Sequence, residues 1–362
     1  MYFNDLALYR KAIYKRLDEE YDCEWYIEDI DTHVKEFDSS ELNKVTRIPI
    51  KRIGPFYIAK GLLKLLKMDY DIYFMLGATR NLSLLPFCIF KKLFKSTKRI
   101  YFWTHGYYGK ESRFEKFFWK RPLFKSADGI FTYGDYAKQL MVEDGFDENN
   151  IFPIHNSLDY ETQLLLRKSV KNSNIYTEHF NNNNPVIVFL GRLTKIKKLN
   201  YLLDAVSRLK EKGEIYNVVL VGDGSEREML EDTTRQNEIK NQVWFYGACY
   251  DEKMNADLVY NADLCVAPGN IGLTAIHVMM FGCPSISHNN FSLQMPEFEA
   301  IKPGYTGDFY EYGSVESLAV TISNWFKKHK DDREAIRQAC YNEIDTNWNP
   351  YYQMDIISKN LK

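Results

Sequence analysis

Between Leu264 and Asn290 the chain reads LCVAPGNIGLTAIHVMMFGCPSISHNN. An apolar run stops at Pro268, a loop holding Gly269, Asn270 and Gly272 follows, and a helix-like segment begins. Such a loop lets a ligand approach the backbone, and the helix start offers unbonded N–H groups at the positive end of its dipole, which suits a phosphate. Other apolar runs end in the same way. VFLGRLTKIKK delivers Gly191, Arg192 and Lys197; LVGDGS delivers Gly222, Asp223 and Gly224; FYGACY delivers Gly247; FWTHGYYGK delivers His105 and Gly106. Arg192 and Lys197 could supply the cations that balance a diphosphate. Any one of these loops reads equally well as a tight turn with solvated cations; their recurrence after successive runs is what points to a ligand. No G-x-G-x-x-G follows the first strand and no Walker lysine motif occurs, which argues against NAD and ATP chemistry.

The elements that would position these residues alternate. In the second half, strands are expected in PVIVFLGRL, YNVVLVGDG, QVWFYGAC, LCVAP and PSISH. Helices are expected between them: NYLLDAVSRLKEKG closed by Gly213, SEREMLEDTTRQNEI capped by Ser225, YDEKMNADLVYNAD and LTAIHVMMFG, with SVESLAVTISNWFKKH beyond the last strand. The strands are continuous apolar runs, the mark of parallel strands buried on both faces. In the first half, the opening residues are almost without a strand and then read as a helix on Leu6, Leu8, Ile13 and Leu17. CEWYIED, YDIYFMLG, KRIYFWTHG, GIFTYG and NIFPIHNS read as strands; residues 55–69, 82–95 and 109–128, and 135–146 with Asp135 as cap, read as helices. KNSNIYTEHFNNNNPV, with four successive asparagines, reads as a linker. The fold class is therefore α/β: two doubly wound domains facing a cleft, with ligands expected beyond the carboxyl ends of the strands. Residues 1–170 are expected to form the first domain and 185–344 the second, with a closing helix over about 345–362 crossing back to the first.

At 362 residues the chain is comfortable for two domains, and its net charge of −2 gives no global field for nucleic acid. The six cysteines lack metal spacing and several lie in apolar runs, which implies a reduced, cytoplasmic setting. Neither a signal peptide nor a membrane span is expected. Aromatic content is high, at 15%. FEKFFWKRPLFK (114–125) interleaves rings with cations. It reads either as a helix packing its rings inward or as a surface resting on the inner face of a membrane.

The run GRLTKIKKLNYLLDAV … VVLVGDGSEREMLE … VWFYGACYDEKM … YNADLCVAPGNIGLTAIHVMMFGCPSI resembles the C-terminal domain of family-4 retaining glycosyltransferases of GT-B architecture. The segment PGNIGLTAIH…HNNFSLQMPEFEAI is similar to bacterial capsule and O-antigen transferases. The resemblance covers residues 186 to about 320 in order; in the first half it rests on WTHG and FPIHNSLD. It implies that Arg192 and Lys197 contact the donor diphosphate, with Lys198 where the family usually has glycine. Ile271, Gly272, Leu273 and Thr274 would hold phosphate through their amides. Gly222, Gly224, Gly247, Tyr250 and Met254 would lie near the nucleoside, and His105 close to the transferred sugar. The family's two glutamates, eight positions apart, fall on Gly269 and His277, so both acids are missing here. His277 could still bond a ribose hydroxyl, unless it is an ordinary core histidine; Asn270 and Glu297, with Glu299 nearby, are candidates for the donor sugar.

The chemistry so implied moves a hexosyl group from a nucleotide-sugar, UDP favoured over GDP, to a saccharide acceptor, expected to be lipid-linked, in surface polysaccharide synthesis. Configuration would be retained, and neither metal nor cofactor is required. His105, Arg192 and Lys197 would be catalytic. The acceptor would meet the first domain through the loop GATRNLS with Arg80, and through Tyr107 and Tyr108, whose rings could stack on sugars or simply pack in the core. Two rivals are an epimerase or phosphorylase-like enzyme on the same architecture, and a non-catalytic sugar-binding partner of an active transferase.

Overall fold

A computed structural model of the chain describes residues 1–30, 35–93 and 97–361. Contacts divide it into two units, Met1–Asp159 with the residues from Asn349 onward, and Tyr160–Trp348. Among the described residues no helix is long and apolar enough to cross a membrane.

The first unit is built on strands β1 (Tyr2–Phe3), β2 (Trp25–Asp29), β3 (Val45–Ile53), β4 (Phe56–Ala59), β5 (Ile72–Leu76), β6 (Arg99–Thr104), β7 (Gly129–Thr132) and β8 (Ile151–Pro153). They form one sheet in the order β4-β3-β2-β1-β5-β6-β7-β8. Every pairing is parallel except β3 with β4. Alternate strand residues feed two cores, one on each face. Tyr73, Met75, Ile100 and Phe102 join Phe87 and Phe124 on one side; Phe74, Tyr101 and Trp103 join Phe3, Tyr14 and Trp25 on the other. Many of the aromatic residues are thus core, with ring centroids 5.0 Å apart for Phe3–Tyr14 and 5.3 Å for Phe74–Phe131. The helix Pro350–Asn360 packs on Lys11–Glu20 and adds Ile357 to this core.

The second unit holds β9 (Val186–Leu190), β10 (Asn217–Val221), β11 (Val243–Gly247), β12 (Leu264–Val266), β13 (Ser285–His288) and β14 (Gly307–Tyr310). Its sheet is wholly parallel, in the order β11-β10-β9-β12-β13-β14. Numbered within the unit, that is 3-2-1-4-5-6, the doubly wound order of a Rossmann-like domain, whose ligand crevice opens where the order reverses. The reversal lies between β9 and β12, so the loops after these two strands should form the site.

Several expected elements come out differently. Residues 55–69 are not a helix: Phe56–Ala59 is a strand in a hairpin turned by Gly54-Pro55, and Leu62–Lys67 is a 3₁₀ segment. The asparagine-rich segment contains the helix Ile175–Phe180. It packs on Glu252–Asn261, as does the helix Tyr160–Ser169, so the division falls at 159/160, ahead of the asparagines. Asp135 is the first residue of its helix rather than its cap, and Ser225 caps nothing, because Glu226 takes the N-cap position. β14 and the helix Arg333–Asn347 were not expected. Phe94 and Lys95, the end of the helix expected over 82–95, lie outside the described residues.

Candidate functional site

At the reversal, three strand-end loops interlock. Gly269 donates its amide to the Lys197 carbonyl at 2.9 Å, Leu193 donates to the Asp223 carbonyl at 3.0 Å, and Gly222 to the Gly247 carbonyl at 2.8 Å. The Thr274 hydroxyl bonds the Leu190 carbonyl at 2.9 Å, tying the start of the helix Thr274–Met280 to the end of β9. The glycines permit this closeness. A Cβ at Gly222 would lie 1.9 Å from the Gly191 oxygen, at Gly224 2.3 Å from the Leu193 oxygen, and at Gly269 1.9 Å from the Ile196 oxygen. Their smallness therefore serves the packing of loop against loop. Gly272 is different: at φ +55° it is left-handed, and the nearest atom to a Cβ there is Asn270 Oδ1 at 3.4 Å.

The amides of Gly272, Leu273 and Thr274 donate to no atom among the described residues. The Ile271 amide is already taken: it bonds Gln294 Oε1 at 3.0 Å, a buried carboxamide that also donates to Ser287 Oγ at 2.8 Å. Ile271 therefore leaves the set of expected phosphate donors. The Lys197 ammonium reaches the same loop and bonds the Asn270 carbonyl at 2.6 Å. Burial lowers its pKa, and the Glu297 carboxylate partly restores it. Glu297 is itself buried at 2% exposure, so it acts on Lys197 rather than presenting a carboxylate to a sugar. Arg192 is exposed, with no ion pair or hydrogen bond from its guanidinium among the described residues. Lys198 adopts φ +48°, which explains a preference for glycine at that position; its ammonium bonds Tyr312 Oη at 2.8 Å.

His277 Nε2 lies 2.7 Å from Glu252 Oε1, so it meets a carboxylate that sequence reasoning missed. Glu252 starts the helix after β11 and also accepts from Gln163 Nε2 at 2.8 Å. Burial alone would raise its pKa, but the bonds from His277 and Gln163 outweigh this and hold it below the ordinary range. Gly247 stands beside Arg227 at the end of β11, Tyr250 projects 95% exposed, and Met254 is half-buried one turn on. The Asn270 side chain is half-buried and hydrogen-bonds to nothing among the described residues.

In the first unit, His105 follows β6. Burial, with the charges of Arg10 and Lys120, pushes its pKa down to about 3, so the ring is neutral. It packs 4.5 Å from Tyr133, whose hydroxyl accepts from Arg10 Nη2 at 2.6 Å. Tyr107 is a core residue, 1% exposed with its hydroxyl on Asp144 Oδ2 at 2.9 Å, and cannot meet an acceptor. Tyr108 is half-buried beside His105, and Arg80 is exposed in the loop after β5.

Residues 171–342 match the family described as Glycosyl transferases group 1. The match lies within the second unit and spans most of it. A 41.2 kDa uncharacterized protein from the cps region of Klebsiella pneumoniae is 26% identical over 235 residues, 62% of this chain and 60% of that one. Mannosylfructose-phosphate synthase of Agrobacterium fabrum is 28% identical over 214 residues, 56% of this chain and 43% of that one. The chain thus spans less than two thirds of these relatives. Among solved structures, HepE of Anabaena in complex with UDP superposes with a TM-score of 0.73 at 17% identity, covering 99% of this chain and 98% of that one. The lipopolysaccharide outer core galactosyltransferase WaaB gives 0.72 at 16%, covering 99% of both. The fold is GT-B: two Rossmann-like α/β domains with parallel sheets.

Proposed function

We propose that the chain is a glycosyltransferase that moves a sugar from a nucleotide-sugar to a saccharide acceptor in surface polysaccharide synthesis. One observation carries this reading. The Lys197 ammonium, from the segment after β9, reaches the loop after β12, whose Gly272 to Thr274 amides donate to no atom among the described residues; both lie at the strand-order reversal of a unit that matches group 1 glycosyltransferases, and Arg192, two residues past β9, has no ion pair or hydrogen bond from its guanidinium among the described residues. The departing diphosphate accumulates negative charge as the glycosidic bond breaks. Lys197 keeps N–H donors beyond the one on Asn270, and these, with Arg192 and the amides, would stabilise that charge. This charge set is proposed to serve without a metal.

A UDP-sugar is the favoured donor; HepE has been solved with UDP and with UDP-glucose. Family resemblance supports retention of configuration, through displacement on one face with a phosphate oxygen accepting the acceptor's proton. It also supports a lipid-linked acceptor, and the likeness to a cps-region protein supports a place in polysaccharide synthesis. The neutral His105 would act as a hydrogen-bonding group near the sugar rather than as an acid. The test is thermal unfolding with UDP-, GDP- and CMP-sugars, followed by donor screening by mass spectrometry against a lipid-linked saccharide. Stabilisation by one nucleotide class with sugar transfer supports the proposal. Stabilisation without transfer would favour a non-catalytic binding protein, a reading suggested by the missing carboxylate at Gly269. Stabilisation by no nucleotide would refute both.

A further inference from the structure

The first unit carries a surface that the donor site does not use. Residues 110–125 hold six Lys and Arg against two acids, and residues 44–67 hold seven against none, in a chain whose net charge is −2. The helical segment from Arg113 to Phe124 turns its first rings outward, while Leu123 and Phe124 at its end are core. Phe114, Phe117 and Phe118 are 72%, 58% and 59% exposed and touch one another, with centroids 4.9 Å apart for both Phe114–Phe118 and Phe117–Phe118. Lys120, by contrast, is buried and bonds Glu111 at 2.7 Å. A π-helical turn at Lys116–Lys120 breaks the 3.6-residue register where this inversion occurs. Trp119 lies 5.1 Å from Phe56 of β4, so the β3–β4 hairpin adjoins the segment. This hairpin is the sheet edge, with exposed Ile53 and Ile58, and its Lys51 and Arg52 are exposed without an ion pair among the described residues.

We propose that this patch docks the first unit on an anionic lipid surface, the three phenylalanine rings entering the headgroup layer while Lys51, Arg52, Arg113 and Lys116 meet the lipid phosphates. Exposed rings rimmed by cations mark a binding surface, and rings with basic heads suit an anionic bilayer. Single-stranded nucleic acid is disfavoured because the rings lean on one another rather than offering separate faces for bases to stack on. The inference stands on the first unit alone and does not rest on the donor assignment.

The test is vesicle flotation of the full chain with phosphatidylglycerol/phosphatidylcholine and with phosphatidylcholine alone. Binding should require phosphatidylglycerol and weaken with salt. The triple variant Phe114→Ser/Phe117→Ser/Phe118→Ser should lose at least about 1,000-fold, roughly tenfold or more for each ring withdrawn. Lys51→Glu/Arg52→Glu should lose about tenfold or more. All five side chains are exposed, so thermal unfolding and its response to UDP in the absence of vesicles should match the parent, which separates this test from that of the donor site. The proposal is overturned if the parent does not float with phosphatidylglycerol, or if the triple variant floats as well as the parent. It is equally overturned if the parent binds polyuridylate but no vesicles, or if the rings prove to join two copies of the chain in a dimer that the triple variant breaks.

Discussion

Replacing Gly269 by alanine tests the interlocked loops most directly. The new methyl would lie 1.9 Å from the Ile196 oxygen and 2.8 Å from the Lys197 carbonyl carbon, both backbone atoms that cannot swing aside. Reaching ordinary contact demands that the loops part by roughly 1.5 Å, which breaks the Gly269 amide bond to Lys197. Overpacking costs about 1–3 kcal/mol and the lost bond about 1 kcal/mol. Together, about 3 kcal/mol should lower Tm by roughly 6–12 °C in a unit of this size. Because Lys197 belongs to the displaced loop, UDP affinity should fall by at least about tenfold. Gly272→Ala is the control: a methyl there meets only ordinary contacts, 3.4 Å or more away, and the left-handed φ is what is penalised, at about 1–2 kcal/mol. Thermal unfolding with and without UDP reads both variants. If Gly269→Ala melts within about 2 °C of the parent, or Gly272→Ala is the more damaging of the two, the described loop packing is wrong.

Three further outcomes are expected. Arg192→Ala should leave Tm unchanged, since the side chain is exposed and has no ion pair or hydrogen bond among the described residues, while weakening UDP binding by about 10–100-fold in calorimetry; a large loss of stability would mean the residue is structural. His105, held neutral with a pKa of about 3, should contribute no limb near pH 6.5 to the pH–rate profile; such a limb, abolished by His105→Gln, would contradict the buried environment. Glu252 has a folded pKa below its ordinary value of 4.5, so its contribution is present above pH 4.5 and lost as pH falls through the lower folded value. Glu252→Gln should therefore destabilise at neutral pH, by no more than about 1 kcal/mol for a partly exposed pair. The deficit should close in acid; one that persists there would argue against the His277 interaction as its source.

The second unit was legible because β9, β10 and β12 are buried on both faces and so read as largely apolar runs, each followed at once by a candidate loop. The β3–β4 hairpin was missed because an edge with a largely solvated face carries lysine, arginine and proline where a central strand would carry valine. Glycine spacing revealed that the loops are tight but not what fills the space, since the atoms facing Gly222, Gly224 and Gly269 come from another loop. Gln294 and Glu252 were invisible for the same reason. Each acts on a partner more than twenty positions away, Ile271 and His277, and nothing local in either stretch marks the pairing. At residues 114–125 the alternation of rings and cations was plain, but not that Lys120 would turn inward to Glu111 while Phe114, Phe117 and Phe118 face outward.

The fastening of three loops by backbone contact restricts how such a domain can diversify. An insertion after β9, β10 or β12 would have to thread between carbonyls already within bonding reach of their neighbours. Variation is freer after β11, where Tyr250 stands in solvent. Change in which nucleotide is accepted should accordingly concentrate around residues 248–251, while the loops proposed to grip pyrophosphate stay constant in length.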